Sequence, residues 1–560
     1  MPNSCTQRDS QFEITESDLA FYEKASPTFN EKKELIPPPS LCPKCRAQRR
    51  MSFRNDRVFY HRKCDLTGKQ IISIYPENTP FTVYHQSEWY SDKWDPMRYE
   101  QDYDPNRSFF EQYNELMLKV PRLGVDIVNC ENSDYCNYCG DDKNCYLDIA
   151  GEANEDCYFD LFTKYSKNCS DCTFAYESTL CYECIQCYNC YECQHSQYLD
   201  NCSNCAFSYD LKGCKNCLLS VNLRNKEYYI LNEPHTKEEY EEKLKELNIS
   251  SWSALQKVFE IWKKMRIEKG IYRDMYNLNC ENCTGNNLKN SKNSQYCYNA
   301  TNCEDCKYLY DVLDAKDCQD LNYSLYKPEA AYELISTLSM RQSAFCMASH
   351  YNNAVYYCDL TNNSHDLFGC IGLNHGEYCI LNKQYSKEEY EELVPRIIAK
   401  MKEDNEWGEF FPASLSPHGY NETVADEYMP LTKEDALAKG FKWRDREEEK
   451  PKVDKIIPAD KLPDTIADIP DDVLNWAITC EETNKPFRIV KQELAFYRKQ
   501  NIPLPRRSPE RRHLDRNALR NPRNLCERKC GKCEKGISTT YSPERPEKVY
   551  CESCYLEEVY

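Results

Sequence analysis

Cysteine recurs at a fixed interval of 12 residues through the first half of the chain. Asp, Asn, Ser or Cys fills most positions three residues before and three residues after each member. Such a strict period indicates stacked, nearly identical turns of chain. Because twelve residues are too few for a helical hairpin, the period predicts coils of a β-solenoid with the small residues stacked inside. The strictest series is Cys145, Cys157, Cys169, Cys181, Cys193, Cys205 and Cys217.

The array is present twice. The first copy ends at Tyr229–Asn232 and the second, which starts near Cys280, ends at Cys379–Asn382. Each is followed by a Lys-Glu-Glu-Tyr-Glu-Glu segment whose preceding residue, Thr236 or Ser386, is a natural helix N-cap. Glu239 and Glu389, three residues further on, complete a capping box. The pattern therefore predicts that each array leads into an amphipathic helix that covers its end. In the second array, residues 327–340 interrupt the period, and we expect a helix there.

Five cysteines from Cys181 to Cys193 are spaced by three. This spacing is similar to the start of a ferredoxin cluster motif, but the closing x₃-Cys-Pro is missing. The five also fall in columns that the 12-residue period already sets, and elsewhere those columns hold Ser and Asp. We therefore expect buried, reduced thiols.

The two ends of the chain are copies of one module. Ile36–Tyr84 aligns without gaps on Ile502–Tyr550, with 18 identities in 49 positions. In the C-terminal copy two CxxC pairs, 17 residues apart, have the spacing of a closed tetrahedral zinc site. All four ligands are thiolates, so we expect a structural zinc ion that stabilises a small domain. The predicted ligands are Cys530, Cys533, Cys551 and Cys554.

The N-terminal copy has a different ligand set. Cys64, Thr67, His85 and Glu88 occupy those four positions, and we expect Cys64 and His85 to form at most a weak site. Cys42 and Cys45 form a CxxC pair elsewhere in this copy, and Cys5 adds a third thiolate. These three residues are the predicted ligands of a second zinc ion: Cys5, Cys42 and Cys45.

The N-terminal module contains Cys5 with Phe12 and Thr15, the aromatic pair Phe21-Tyr22, and Cys42-x₂-Cys45-Arg46. This pattern resembles the bacterial probable zinc-ribbon family. Arg8, and Thr483 in the other copy, replace the family's second cysteine. The whole chain also resembles large, uncharacterised cysteine-rich zinc-ribbon proteins of uncultured bacteria, through Phe368–Leu373 and Gly419–Val424. The resemblance implies zinc modules and a shared architecture, with no assigned activity.

Both modules carry an arginine stripe, four arginines spaced i, i+4, i+8, i+11 along one helix face. In a chain of net charge −19, this local basic character indicates either a contact to nucleic-acid phosphates or pairing with the protein's own carboxylates. The stripe comprises Arg46, Arg50, Arg54 and Arg57 in one module and Arg512, Arg516, Arg520 and Arg523 in the other.

The predicted fold class is mainly β with α caps, in which duplicated arrays are flanked by duplicated zinc-ribbon or treble-clef-like α+β modules. No apolar run is long enough to span a membrane and the first residues lack an apolar signal region, so we expect a cytoplasmic protein with no membrane partner. The predicted domains are an N-terminal module (1–92), a first array (126–232), a helical cap (233–279), a second array (280–382), a helical cap with an aromatic loop (383–443), a linker (444–475) and a C-terminal module (476–560).

Three functions are consistent with these patterns. The leading hypothesis is a non-enzymatic zinc-binding scaffold whose basic modules contact RNA, DNA or a ribonucleoprotein. The second is a protein–protein adaptor that uses an acidic solenoid surface while its arginines pair internally. The third is a thiol- or metal-handling protein that binds more than about two metals per chain in its cysteine columns. None of the common nucleotide-binding or hydrolase motifs occurs, and the sequence does not identify a small-molecule ligand.

Overall fold

A computed structural model describes residues 2–8, 10–446 and 451–560. The chain divides into two compact units, and each is discontinuous in sequence. Unit 1 contains Met1–Val125 and Met275–Asp445, and unit 2 contains Asp126–Asp274 and Arg446–Tyr560. The N-terminal module therefore folds with the second array, and the C-terminal module folds with the first. Within the part of the chain that is described, no helix is long and apolar enough to cross a membrane.

Unit 1 combines short strands with helices. Its helices are Glu16–Ala25, Pro43–Met51, Gln86–Trp89, Phe109–Lys119, Lys387–Glu403, Val424–Tyr428 and Lys433–Ala438. Its N-terminal strands are Pro2–Ser4, Gln11–Glu13, Thr28–Phe29, Lys32–Lys33, Tyr60–Lys63, Gln70–Ser73, Val83–Tyr84 and Arg122–Leu123. The strands of its array region are Gly285–Lys289, Cys297–Thr301, Tyr310–Leu313, Lys316–Asn322, Glu329–Ile335, Asn353–Tyr356, His365–Phe368, Glu377–Ile380 and Lys383–Gln384.

Unit 2 is also built from short strands and helices. Its helices are Lys237–Leu247, Trp252–Glu268, Lys491–Gln500, Pro509–Ala518 and Glu552–Val559. The strands of its array region are Ile127–Val128, Cys139–Gly140, Thr173–Tyr176, Ile185–Tyr188, Gln197–Asp200, Tyr209–Lys212, Lys215–Leu218, Glu227–Ile230 and Glu233–Pro234. The remaining strands are Ile271–Arg273, Lys455–Pro458, Trp476–Thr479, Pro486–Phe487, Cys526–Lys529, Gly536–Thr539 and Lys548–Tyr550.

In the first array, residues twelve apart pair in parallel. Thr173 pairs with Ile185, Ile185 with Gln197, and Gln197 with Tyr209. Single parallel bridges with the same step of twelve, such as that between Lys143 and Glu155, continue this pairing outside the named strands. Each twelve-residue turn of chain therefore lies in register on the one before it.

Each turn is built from triplets. In the triplet Lys143-Asn144-Cys145, the Lys143 amide donates to Asn154 O (2.8 Å) and the Asn144 amide donates to Glu131 O (2.9 Å). The middle residue has left-handed backbone, with φ of 55° at Asn144, and this recurs at every third residue from Asn129 to Leu231. Asn and Asp tolerate that conformation better than other non-glycine residues. This explains why Asn or Asp usually precedes the periodic cysteine.

The third residue of each triplet lies inside the array and requires a hydrogen-bond acceptor on the turn below it. The amide of Cys145 donates to Ser133 Oγ (3.1 Å), and the amide of Ser166 donates to Asn154 Oδ1 (3.1 Å). The inner thiols also donate to carbonyls, as Cys157 does to Ser166 O (3.5 Å). Most inner residues of the first array are therefore small and carry an oxygen or sulfur atom, which explains why Cys, Ser, Asn and Asp dominate these columns, although Leu199 and Leu211 also occupy inner positions.

The second array departs from the step of twelve at its start, where Glu281 pairs with Lys292 at a step of eleven, and again near its middle. Lys316 pairs with Glu329, a step of thirteen, within the parallel strands Lys316–Asn322 and Glu329–Ile335. Our expectation of a helix in residues 327–340 is therefore wrong. The segment forms a slightly longer turn of the same array, because one extra residue is absorbed without breaking the parallel pairing.

Both predicted capping boxes are present. Thr236 and Ser386 begin the helices Lys237–Leu247 and Lys387–Glu403, and each cap exchanges hydrogen bonds with the glutamate three residues on. The predicted linker is more ordered than expected. Lys455–Pro458 pairs with Trp476–Thr479, and Leu462 and Ile466 lie in the core of unit 2. Residues 447–450 of that linker lie outside the described residues.

Candidate metal centres

Four sulfurs of the C-terminal module converge on one point. Cys530 follows the strand Cys526–Lys529, and Cys551 is the N-cap of the helix Glu552–Val559. The ligand atoms of Cys530, Cys533, Cys551 and Cys554 all lie within 4.8 Å of one another. The Cys533 and Cys551 sulfurs are 3.8 Å apart. A tetrahedral ion with metal–sulfur bonds of about 2.3 Å places its sulfurs about 3.8 Å apart, so the four cysteines fit one metal ion.

Backbone amides favour the ionised, metal-binding form of Cys530 in this cluster. The Cys551 amide donates to Cys530 Sγ (3.2 Å), and the turn is closed by the Cys530 amide on Lys535 O (2.8 Å). Burial opposes ionisation of Cys530, but the backbone N–H groups of Cys533 and Cys551 outweigh it and lower the pKa of this thiol to about 6. A thiolate is the form that binds metal.

The N-terminal module gathers three sulfurs. Cys42 is the N-cap of the helix Pro43–Met51, Cys45 lies in its first turn, and Cys5 follows the strand Pro2–Ser4. The three sulfurs lie within 4.8 Å of one another and all three residues are buried. Hydrogen bonding from the Cys45 thiol lowers the pKa of Cys42 to about 4. These residues fit three of the four positions around a metal ion.

Each module also has a position that aligns with the metal cluster of the other module but holds no ligand cluster of its own. In the N-terminal module, the His85 amide donates to Cys64 Sγ (3.3 Å), while the His85 ring accepts from the Ser87 amide (3.2 Å). In the C-terminal module, the Ser508 amide donates to Cys480 Sγ (3.4 Å). Both contacts match the one between Cys551 and Cys530. In the described chain, neither Cys64 with His85 nor Cys480 belongs to a group of three possible ligands.

The array cysteines have a different environment. Cys181, Cys184, Cys187, Cys190 and Cys193 are all buried, and each thiol donates to a backbone carbonyl two residues earlier at 3.3–3.6 Å. Among the residues that the structure describes, no three of these sulfurs are close enough together to share one ion. Their sulfurs make hydrogen bonds that the turns require.

In unit 1, the arginine stripe faces the array. Arg46 donates to Asp320 (3.0 Å) and Arg50 donates to Glu333 (2.8 Å), and all four side chains are at most 1% exposed. Burial opposes ionisation of Glu333, but the guanidiniums of Arg50, Arg49 and Arg46 outweigh it and lower the pKa of this carboxyl. The guanidinium of Arg54 stacks 4.2 Å from the centre of the Tyr323 ring.

Unit 2 repeats this arrangement with the aligned residues. Arg512 and Arg516 both bind Asp171, at 3.0 Å and 2.7 Å, and Arg516 also reaches Glu183 at 3.3 Å. Arg520, which aligns with Arg54, stacks 4.6 Å from the Phe174 ring centre. The carboxylates and rings all lie at left-handed positions of their arrays. The stripe is therefore the surface by which each module packs on its array.

Of the two expectations for the stripe, contact with phosphates or pairing with the protein's own carboxylates, these contacts favour the second. Arg46, Arg50, Arg54, Arg512 and Arg516 are at most 4% exposed, and their charges are matched by carboxylates or stacked on rings. Arg57, Arg520 and Arg523 are partly buried. The sequence showed the shared spacing, but the acidic partners lie hundreds of residues away and carried no detectable signal. Binding of nucleic acid by other surfaces stays a prediction.

Comparisons with known proteins add little. No protein family model matches the sequence, and no curated protein is significantly similar to it. This chain is similar at 6% identity to a crystal structure from Desulfovibrio desulfuricans G20 that is provisionally designated an acetyltransferase. The match covers 44% of this chain and 65% of the other, which is less than two thirds of that protein. Its TM-score of 0.11 does not indicate a common fold.

Proposed function

We propose that this chain is a non-enzymatic, zinc-binding scaffold in which two β-solenoids are each joined to a metal-stapled module. The observation that carries the proposal is the convergence of Cys530, Cys533, Cys551 and Cys554. Four thiolates fill a tetrahedral zinc ion and leave no position for substrate, which is typical of structural rather than catalytic zinc. The cysteine clusters and their geometry support a metal ion, and the all-sulfur donor set favours zinc.

The metal has a physical role in such a module. Cys530 and Cys533 lie in the turn of the hairpin formed by Cys526–Lys529 and Gly536–Thr539, and Cys551 and Cys554 lie at the start of the helix Glu552–Val559. A bound ion joins these two elements, and in small domains the binding free energy contributes directly to folding. The module so formed presents Arg512 and Arg516 to the array in a fixed orientation.

A pair of matched variants tests the metal centre. Full-length protein purified without oxygen is analysed for zinc by elemental analysis. Cys554→Ser is expected to lose one zinc ion per chain, because three thiolates and a hydroxyl bind zinc more weakly. Cys526→Ser, in the same module but outside the cluster, is expected to lose none. Equal zinc content in the two variants would contradict the proposal.

The burial of the arginine stripe favours an adaptor role for the scaffold over nucleic-acid binding. With these guanidiniums paired internally, a chain of net charge −19 repels an anionic polymer. Exposed tyrosines stand on the array surfaces, and tyrosine is enriched at protein interfaces. They include Tyr165 and Tyr191 in the first array and Tyr296 and Tyr351 in the second. We therefore infer a protein partner with a basic surface.

The partner class is tested on the purified full chain. A stoichiometric protein partner that survives nuclease and dissociates in high salt would support the adaptor role. Salt-sensitive binding of a labelled random RNA or DNA at micromolar protein concentration would contradict it.

A further inference from the structure

The beginning of the first array encloses a group of side chains in which two carboxylate oxygens have no hydrogen-bond partner. Cys139, Asp142 and Asp148 are inner residues of the triplets 137–139, 140–142 and 146–148, and each is at most 4% exposed. The Cys139 sulfur also makes hydrogen bonds of the turns, to Asn137 O (3.3 Å) and Asp148 O (3.1 Å). One thiol sulfur and two carboxylate oxygens lie within 4.8 Å of one another. Cys139 is on the turn that pairs with the first strand of the array, Ile127–Val128.

Each carboxylate is held by one oxygen only. The Asn154 amide donates to Asp142 Oδ1 (2.9 Å), and the Asn154 side chain donates to Asp148 Oδ2 (2.8 Å). The other oxygens, Asp142 Oδ2 and Asp148 Oδ1, are buried without a hydrogen-bond partner. Burying an unpaired carboxylate oxygen is unfavourable unless a proton or a metal ion satisfies it.

A glycine leaves room beside these oxygens. Gly151 occupies the inner column that holds Cys139 on the turn before it and Thr163 on the turn after it. A Cβ at Gly151 would lie 2.5 Å from Asp148 Oδ2 and 2.8 Å from Asp142 Oδ2. Gly151 does not have left-handed backbone, so its lack of a side chain is required by the space and not by the chain conformation.

We propose that Cys139, Asp142 and Asp148 bind a divalent transition-metal ion of the zinc class inside the first array. The geometry points to this class because one sulfur and two oxygens suit a borderline-soft ion better than Mg²⁺ or Ca²⁺, which prefer oxygen alone. Asn154 orients both carboxylates from behind, as outer hydrogen-bond partners do in metal sites. The ion fixes the first turns of the array.

The site is distinct from the cysteine clusters of the two modules. It is therefore tested by comparing the number of bound ions in a variant with the number in the unsubstituted protein. Native mass spectrometry of the zinc-loaded full chain counts the bound ions. Asp148→Asn and Gly151→Ala are each expected to bind one zinc ion fewer than the unsubstituted protein, the first by removing a ligand and the second by filling the space. Failure of the module sites would lower all counts equally and leave this difference unchanged.

The next aspartate of the same column provides the control. Asp160 is also fully buried with one unpartnered oxygen, but it does not belong to the cluster. Asp160→Asn is expected to keep the full count. An unchanged count in Asp148→Asn, together with unfolding at equal or higher denaturant concentration, would overturn the proposal, because it would show that a proton satisfies the carboxylates. If Asp148→Asn does not fold, the count of Gly151→Ala decides.

Discussion

Unit 1 and unit 2 pack a module on an array in the same way, but their cysteine clusters lie at different positions of the module. In unit 1, the sulfurs of Cys5, Cys42 and Cys45 converge, and the position that aligns with Cys530 holds Cys64 without a cluster. In unit 2, four sulfurs converge around Cys530, and the position that aligns with Cys5 holds Cys480 without a cluster. The packing of the stripe on the array is the same in both, down to the aligned pairs Arg46–Asp320 and Arg512–Asp171.

This difference separates two kinds of constraint. A small module needs a cross-link, and we expect one metal ion per module to suffice, because at the other position an N–H···S contact still closes the turn. The buried arginines are harder to replace, because the loss of one guanidinium leaves a buried carboxylate charge only partly compensated. The comparison therefore predicts that the buried arginines contribute at least as much to the stability of each unit as a bound metal ion would.

The largest expected effect comes from the buried pairs. Arg50→Ala and Arg516→Ala should each lower the stability of their own unit by about 3–5 kcal/mol, because Glu333 or Asp171 loses a buried counter-charge. Hydrogen exchange followed by mass spectrometry measures the two units separately. Arg498→Ala, which breaks an exposed pair with Asp471, should change stability by only about 0–1 kcal/mol. Equal exchange in all three variants would show that the stripe does not hold the modules.

The second effect is a pH dependence of opposite sign at two buried carboxylates, Glu183 of unit 2 and Glu333 of unit 1. Burial raises the pKa of Glu183 from 4.5 to about 8, since Arg516 offsets it only in part. Folded unit 2 therefore holds a proton that the unfolded chain loses, and its stability falls as pH rises from about 5 to 8. The pKa of Glu333 is lowered, so its contribution is present above pH 4.5 and is lost as pH falls through the folded pKa.

Unfolding of unit 2 at pH 5.5 and pH 8.5 tests the Glu183 effect, and unfolding of unit 1 at pH 5.5 and below pH 4.5 tests the Glu333 effect. Glu183→Gln should remove the pH dependence that Glu183 gives to unit 2 and leave that of unit 1 in place. A dependence of unit 2 that survives the substitution would mean that another group is responsible.

The smallest effect concerns the incomplete cluster. Arg8 follows Cys5 at the spacing of a CxxC pair, so we expect a cysteine at this position to complete the set of Cys5, Cys42 and Cys45. Arg8→Cys is expected to strengthen zinc binding, so that a competing chelator must be more concentrated to remove the ion. Titration with the chelator measures this, and Cys64→Ser in the same module is the control that should not change it. Weaker binding in Arg8→Cys would show that the cluster cannot accept a fourth thiolate.

The sequence predicted the repeat length, the duplications, the capping boxes and the residues of both cysteine clusters. It showed the three-residue spacing within each turn but not its cause, because regular strands alternate by two, although Asn144, Asp156 and Asn168 already marked left-handed positions. It also could not pair Arg516 with Asp171 or bring Cys139 beside Asp148. These contacts depend on how turns stack and on which module packs on which array, and local spacing does not encode that.

The central claim is that metal binds at the two cysteine clusters of the modules and at the site of Cys139, Asp142 and Asp148. The other inner thiols of the arrays serve as hydrogen-bonding groups. Native mass spectrometry of the full chain, purified without oxygen, tests it directly by counting bound ions against 36 cysteines. The account predicts two zinc ions in the modules and a third in the first array. A metal-free chain, or one that carries iron or many more ions, would contradict it.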